Sequence, residues 1–133
     1  MPTHTAVNPA NTVAPIGPYS NGVIAAPGRL MAIAGQGGLT PDGQLVGPGA
    51  REQTEQIFEN FKAILAAAGG SLSDIIQMTI YTRAAENYPE VNAARKAYFS
   101  EPYPASATVT DIGFLGRGML VEISALAVIP PAA

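Results

Sequence analysis

Few residues in this chain could carry chemistry. There is no cysteine, which excludes thiol nucleophiles, disulfides and thiolate metal sites. The single histidine, His4, falls in a terminus rich in Pro, Asn and Thr and reads as inert. A histidine-based triad or metal site is therefore disfavoured, and no metal is expected. What remains is a carboxylate, Glu122, inside the most continuously apolar strand-like run, Leu120 to Val128. As a strand, one face shows Val121, Ile123, Ala125 and Ala127, and the other shows Leu120, Glu122, Ser124, Leu126 and Val128. An ionised carboxylate there is costly unless it is paired, hydrogen-bonded or opens into a cleft. Glu122 is thus either a structural carboxylate satisfied by neighbouring backbone, the commoner case, or a working acid–base group. As a working group, partly desolvated, it could move protons in general acid–base chemistry. Gly35 opens the run Gly35-Gln36-Gly37-Gly38, where the missing Cβ lets backbone come close to a ligand. Taken alone, that run reads better as a loop needing positive φ, and it matches no dinucleotide or phosphate-loop pattern. Ser106 has no His or Lys partner, so a serine nucleophile is disfavoured.

These residues need elements to hold them. Residues 1–15 read as a loose arm. Tyr19 to Ala26 and Leu30 to Ala34 read as two strands of a hairpin turning at Pro27-Gly28. A helix is expected from about Ala50 to Ala68, with Ile57, Phe58, Phe61, Ile64, Leu65 and Ala68 as its apolar stripe and Gly69-Gly70 as its stop. Ile75 to Thr82 reads as a strand rich in β-branched residues. A second helix follows from about Ala85 to Phe99, with Tyr88, Val91, Ala94 and Tyr98 on one side. Ala105 to Ile112 is a further strand, a loop holding Arg117 comes next, and the Glu122 strand follows. Residues 130–133 read as a tail. This order predicts one domain over 1–133, with both helices on one face of a sheet. Strands apolar on both sides would leave the other face uncovered, which packing in an oligomer would resolve.

Composition agrees. Of the 133 residues, 47% are hydrophobic and only 13% charged, little polar cover for a lone small globule. The formal net charge is −3 with no cluster of cations, which disfavours nucleic acid or an anionic membrane as partner. The N-terminus lacks the basic start and apolar core of a signal peptide, and no run is long enough to span a bilayer. A cytoplasmic location is expected.

Several segments together resemble one family. They are Ile16-Gly17-Pro18-Tyr19-Ser20, Ala34-Gly35-Gln36, Asn60-Phe61-Lys62-Ala63-Ile64-Leu65, Ala67-Ala68-Gly69, Val91-Asn92, Tyr103-Pro104-Ala105 and Leu120-Val121-Glu122-Ile123. In this order and spacing, from about residue 14 to 129, the chain resembles the reactive-intermediate deaminase family, also called Rid or YjgF-like. The resemblance implies an α+β, chorismate-mutase-like fold: a mixed sheet of about six strands with two helices on one face. It also implies a homotrimer with inter-subunit clefts, where reactive enamines and imines are hydrolysed to a keto compound and ammonia without metal or organic cofactor. It gives Glu122 the attacking water and Tyr19 a place beside it as catalytic residues, and makes Gly35 and Asn92 substrate-binding. The family's carboxylate-clamping arginine, which follows Pro-Ala, is replaced here by Ser106, or by Ala107 if the alignment shifts by one. Neither carries charge, so poor capture of a free α-imino acid is expected. Arg117 and Arg83 could reach the cleft but read more simply as exposed cations. The function expected is an enamine or imine deaminase-type hydrolase acting on a small reactive metabolite. The alternative is a trimer that binds a small molecule without turnover, and ribonuclease activity is a minor option.

Overall fold

A computed structural model describes residues 4–132. In chain order the elements are β1 (Thr5–Val7), β2 (Gly22–Ile24), β3 (Arg29–Gly37), α1 (Ala50–Ala67), β4 (Ile75–Thr82), α2 (Tyr88–Tyr98), β5 (Ala105–Val109) and β6 (Val121–Ile129). Single 3-10 turns, Leu72–Asp74 and Ala85–Asn87, lead into β4 and α2. Strands β3-β6-β4-β5 form a four-stranded mixed sheet, in which β4 and β5 run parallel and the other neighbours antiparallel. Strands β1 and β2 form a separate antiparallel ribbon.

β6 is central because it is apolar along its length. Val121, Ile123, Ala125 and Ala127 are buried under the helices, while Glu122 and Ser124 on the alternate face are half-buried and Leu126 is exposed. α1 begins where the Glu52 carboxylate accepts the Gly49 N–H at 2.7 Å and stops at Gly69, whose φ of +83° suits a residue without Cβ. Its stripe of Ile57, Phe58, Phe61 and Leu65 has no exposed surface. Burying each such side chain is worth about 1.5–3 kcal/mol. Phe58 also meets the Phe99 ring edge-on, with centroids 5.0 Å apart, which ties α1 to the end of α2. Val91 and Ala94 of α2 complete the core.

The helices therefore lie on one face of a mixed sheet, as expected, but the six strands do not form one sheet. The expected hairpin of β2 with β3 does not form. Residues 20–26 are committed elsewhere. The Ser20 N–H donates to Pro104 O at 3.1 Å, its hydroxyl donates to Tyr103 O at 2.6 Å, and Ser20 bridges to Ala105 in parallel. The arm is not loose either, since Thr5–Val7 pairs with Gly22–Ile24. His4 is buried rather than idle: its Nδ1 accepts the Ala26 N–H at 2.9 Å, and its Nε2 lies 3.2 Å from Asp74 O. The imidazole is thus a clip that holds the ribbon against the turn before β4. β3 is left as an outer strand of the sheet. Residue 133, the last of the expected tail, lies outside the described residues, as do residues 1–3 of the arm.

Candidate functional site

Glu122 is the second residue of β6, on the face turned away from the helices. Its cross-strand neighbours are Tyr81 on β4 and Gly37 on β3. Near it β3 carries a bulge between Ile33 and Gln36, a device that re-aims strand residues beside functional sites. The bulge brings Gly35 under the carboxylate. A Cβ at position 35 would lie 2.6 Å from Glu122 Oε2. Glycine is required there by close approach, not by positive φ, and the run Gly35-Gln36-Gly37 is the end of β3 rather than a loop. The next glycine, Gly38, is likewise pressed against the backbone of Gln53, where a Cβ would stand 2.7 Å from Cα.

Gln53 sets the start of β6. It is buried on α1, donates from Nε2 to Gly47 O at 2.9 Å and Gly118 O at 3.1 Å, and accepts the Leu120 N–H at 2.9 Å. An apolar-face glutamine thus fixes the backbone two residues ahead of Glu122. Beside Gly35 a depression of about 400 Å³ opens, lined also by Gln36, Gly37, Leu39, Asn60 and Ile64.

A second group of site residues gathers at the β5 edge, on the helix side. Ser106 pairs with the buried Met78 and faces α2, whereas Ala107 pairs with Thr79 and is exposed on the open face. The two positions that the sequence resemblance sets against the family's arginine therefore point to opposite faces. Ser106 Oγ accepts Arg95 Nη2 at 3.0 Å. The other Nη2 acceptor is Pro18 O at 3.1 Å, and Nη1 reaches Asn92 Oδ1 at 3.2 Å and Tyr88 Oη at 3.4 Å. Tyr19 adjoins this cluster: a Cβ on Gly17 would meet both the Tyr19 ring and Asn92 Nδ2 within 3.8 Å. The Tyr19 hydroxyl accepts the Ile16 N–H at 3.3 Å. With Gly17, Ser20, Asn8 and Tyr103 it lines a cavity of about 520 Å³.

The sequence reading missed Arg95. It has no exposed surface, and burial pushes its pKa below the ordinary arginine value. A signal was present: Arg95 lies three residues beyond Asn92 and four beyond Val91 on a helix whose apolar stripe those spacings define. Arg117 and Arg83 are exposed in the single chain, and Arg83 Nε donates to Met119 O at 3.3 Å.

Within one chain the candidate site residues lie in two separate groups. Glu122 with Gly35 lies on the open face, and Tyr19, Asn92 and Ser106 lie at the β5 edge. In the ladder, Glu122 aligns through Tyr81 with Val109, three residues beyond Ser106. Two strand spacings and that offset put the two Cα atoms roughly 14 Å apart.

The sequence profile of the family described as Endoribonuclease L-PSP matches residues 9–129. The chain belongs to this family, the Rid or YjgF family. Among similar relatives, a RutC family protein of Pyrococcus horikoshii is 40% identical over 118 residues, covering 88% of this chain and 91% of that protein. A Bos taurus protein named 2-iminobutanoate/2-iminopropanoate deaminase is 36% identical over 126 residues, covering 94% and 90%. Among solved structures, RidA from the Antarctic bacterium Psychrobacter sp. superposes with a TM-score of 0.71 at 35% identity, covering 94% of this chain and 99% of that one. A Yersinia pestis Rid family protein of unknown function, 24% identical, reaches 0.84 over 96% and 99%, a likeness of fold. The α+β architecture of the Rid family is thus that of this chain. No helix among the described residues is long and apolar enough to cross a membrane.

Proposed function

We propose that the chain is a deaminase-type hydrolase of small reactive imines and enamines, working as a homotrimer. The observation that carries this reading is Glu122: a half-buried carboxylate, the one charge on a mainly apolar central strand, with Gly35 lacking a side chain beneath it. Its carboxylate takes a proton from water as the water oxygen bonds to the imine carbon, and the C=N π pair collects on nitrogen, which receives that proton from Glu122 to give a neutral carbinolamine. The resulting carbinolamine then breaks its C–N bond. Glu122 takes the proton of the carbinolamine hydroxyl and delivers it to the departing nitrogen, the freed oxygen electron pair closes the C=O bond, and ammonia leaves. Overall, an imine and one water give a carbonyl compound and ammonia, with no redox change.

In this reading the Glu122–Gly35 half of one copy faces the Tyr19–Asn92 half of the next across the cleft. Two features support it: both halves are incomplete in one chain, and the open sheet face is left uncovered. Tyr19 donates to the substrate, and the Gly35 N–H holds the developing oxygen. Relatives named 2-iminobutanoate/2-iminopropanoate deaminase support the reaction class. Ser106 has no charge, so holding an α-imino acid by its carboxylate requires a cation from another position.

The reading is tested by supplying the purified protein with imines made in situ by an amino-acid oxidase and following ammonia release against buffer. Faster release is expected. No acceleration of any imine, with or without a carboxylate, refutes it, and specific small-molecule binding without turnover would then favour the binding trimer. The mass in solution should be that of three chains, and a monomer at micromolar concentration contradicts the shared cleft. The family description mentions an endoribonuclease, but a net charge of −3 offers little to a phosphate backbone, and Arg51 and Lys62 already face Glu55 and Glu59.

A further inference from the structure

We propose that Arg95 is the specificity-determining cation of this chain, holding the carboxylate of a small anionic substrate at the β5 edge. The assignment deepens, and rests on, the hydrolase reading. It starts from an electrostatic imbalance. The guanidinium has no exposed surface, yet all four of its acceptors are uncharged: Tyr88 Oη, Asn92 Oδ1, Pro18 O and Ser106 Oγ. The ion pairs among the described residues involve Arg51 and Lys62 instead. Among the described residues its Nε, which is buried, has no acceptor. A buried cation without a counter-charge is strongly unfavourable, and an orphaned N–H adds to that cost. An arriving carboxylate would remove both defects, because the Nε–Nη edge of a guanidinium matches two carboxylate oxygens.

The position fits a ligand site. Pro18 O caps the guanidinium, and its neighbours Gly17 and Tyr19 line the cavity of about 520 Å³. Residues 17–19 thus border that cavity and, through Pro18 O, the cation. The two Nη1 contacts, at 3.2 and 3.4 Å, are long and readily exchanged for a charged acceptor. Ser106 stands where the family resemblance calls for arginine, and here its hydroxyl accepts from Arg95. The cation is displaced from the strand to the facing helix while its charge stays at the same edge.

The experiment compares 2-oxobutanoate with pentane-2,3-dione, the same skeleton with a neutral acetyl group in place of the carboxylate. Wild type should bind the keto acid at least tenfold more tightly by calorimetry. Arg95→Met should abolish that preference while leaving dione binding in place, and Arg95→Met/Ser106→Arg should restore part of it. In wild-type protein labelled in arginine, the Arg95 Nε–H resonance should shift on adding the keto acid and not the dione, a readout that survives if Arg95→Met fails to fold. Equal affinities in wild type, an unmoved Nε–H resonance at saturating keto acid, or an undiminished preference in a folded Arg95→Met protein each overturn the proposal. Selective, Arg95-dependent binding in a protein that hydrolyses no imine would uphold this assignment while refuting the hydrolase reading.

Discussion

Replacing Gly35 with alanine should separate activity from stability. The added methyl would sit 2.6 Å from Glu122 Oε2, 3.0 Å from Cδ and 3.3 Å from Cγ, whereas ordinary contact begins at 3.4 Å. The carboxylate must therefore retreat by about 0.8 Å, the difference between the first and last distances. The obstructing atoms are the far end of a flexible, half-buried side chain, so relief is cheap. The stability cost should stay within about 1 kcal/mol, a shift of a few °C in Tm. Catalysis is less tolerant, since a displacement of about 1 Å at a reacting group can cost about 10²-fold in rate. Gly35→Ala should thus lose roughly 10–100-fold in ammonia release from an in-situ imine while melting near the wild type. Gly38→Ala is the control. Its methyl meets Gln53 Cα at 2.7 Å, backbone that cannot swing aside, so it should lose about 1–3 kcal/mol of stability. Full activity in Gly35→Ala, or a loss no larger than its unfolded fraction, would refute the seating of the catalytic carboxylate on this glycine.

Two further outcomes follow from the packing and from the one large phenol shift. Gln53→Leu leaves Gly47 O, Gly118 O and the Leu120 N–H without partners and should cost about 2–3 kcal/mol in urea unfolding; an unchanged midpoint contradicts the role given to this glutamine. Burial first, and then its 2.7 Å hydrogen bond to Glu59, push the Tyr98 pKa up to about 12. The native state thus holds this proton more tightly than the unfolded chain, so the associated stability is fully present below about pH 10. It is lost as pH rises towards 12. One tyrosine should ionise late in an absorbance titration at about 295 nm, and Tyr98→Phe should flatten the alkaline loss of stability; five phenols titrating together near pH 10 would contradict it.

The layers of this fold were legible in the sequence, and the routing of the chain's first 26 residues was not. Periodicity placed α1, β4 and β6 within a residue or two, because each has a long pattern set by one buried face. β2 failed because its partner is the arm strand Thr5–Val7, and the segment before it is tied by Ser20 to Tyr103 and Pro104, more than 80 positions away, which no local pattern records. His4 was misread for the same reason: its acceptor at Asp74 is 70 residues distant. Among the site residues, Glu122 announced itself as a charge in an apolar strand, and Gly35 as part of a glycine run, though for the wrong conformational reason. Arg95 was hidden by its context. A cation on a short helix near Lys96 reads as solvated; its spacing four beyond Val91 hinted at the buried stripe, and the tertiary contacts to Pro18 and Ser106 show that its side chain turns inward.

The most direct test is the rate of imine hydrolysis by Glu122→Gln, an isosteric change at a half-buried position that keeps the side chain's volume. With imine generated in situ and protein shown to be folded, wild type should accelerate ammonia release, and the glutamine variant should lose about 10²–10⁴-fold of kcat/KM. A Glu122→Gln protein that releases ammonia as fast as wild type would contradict the assignment of Glu122 as the acid–base group.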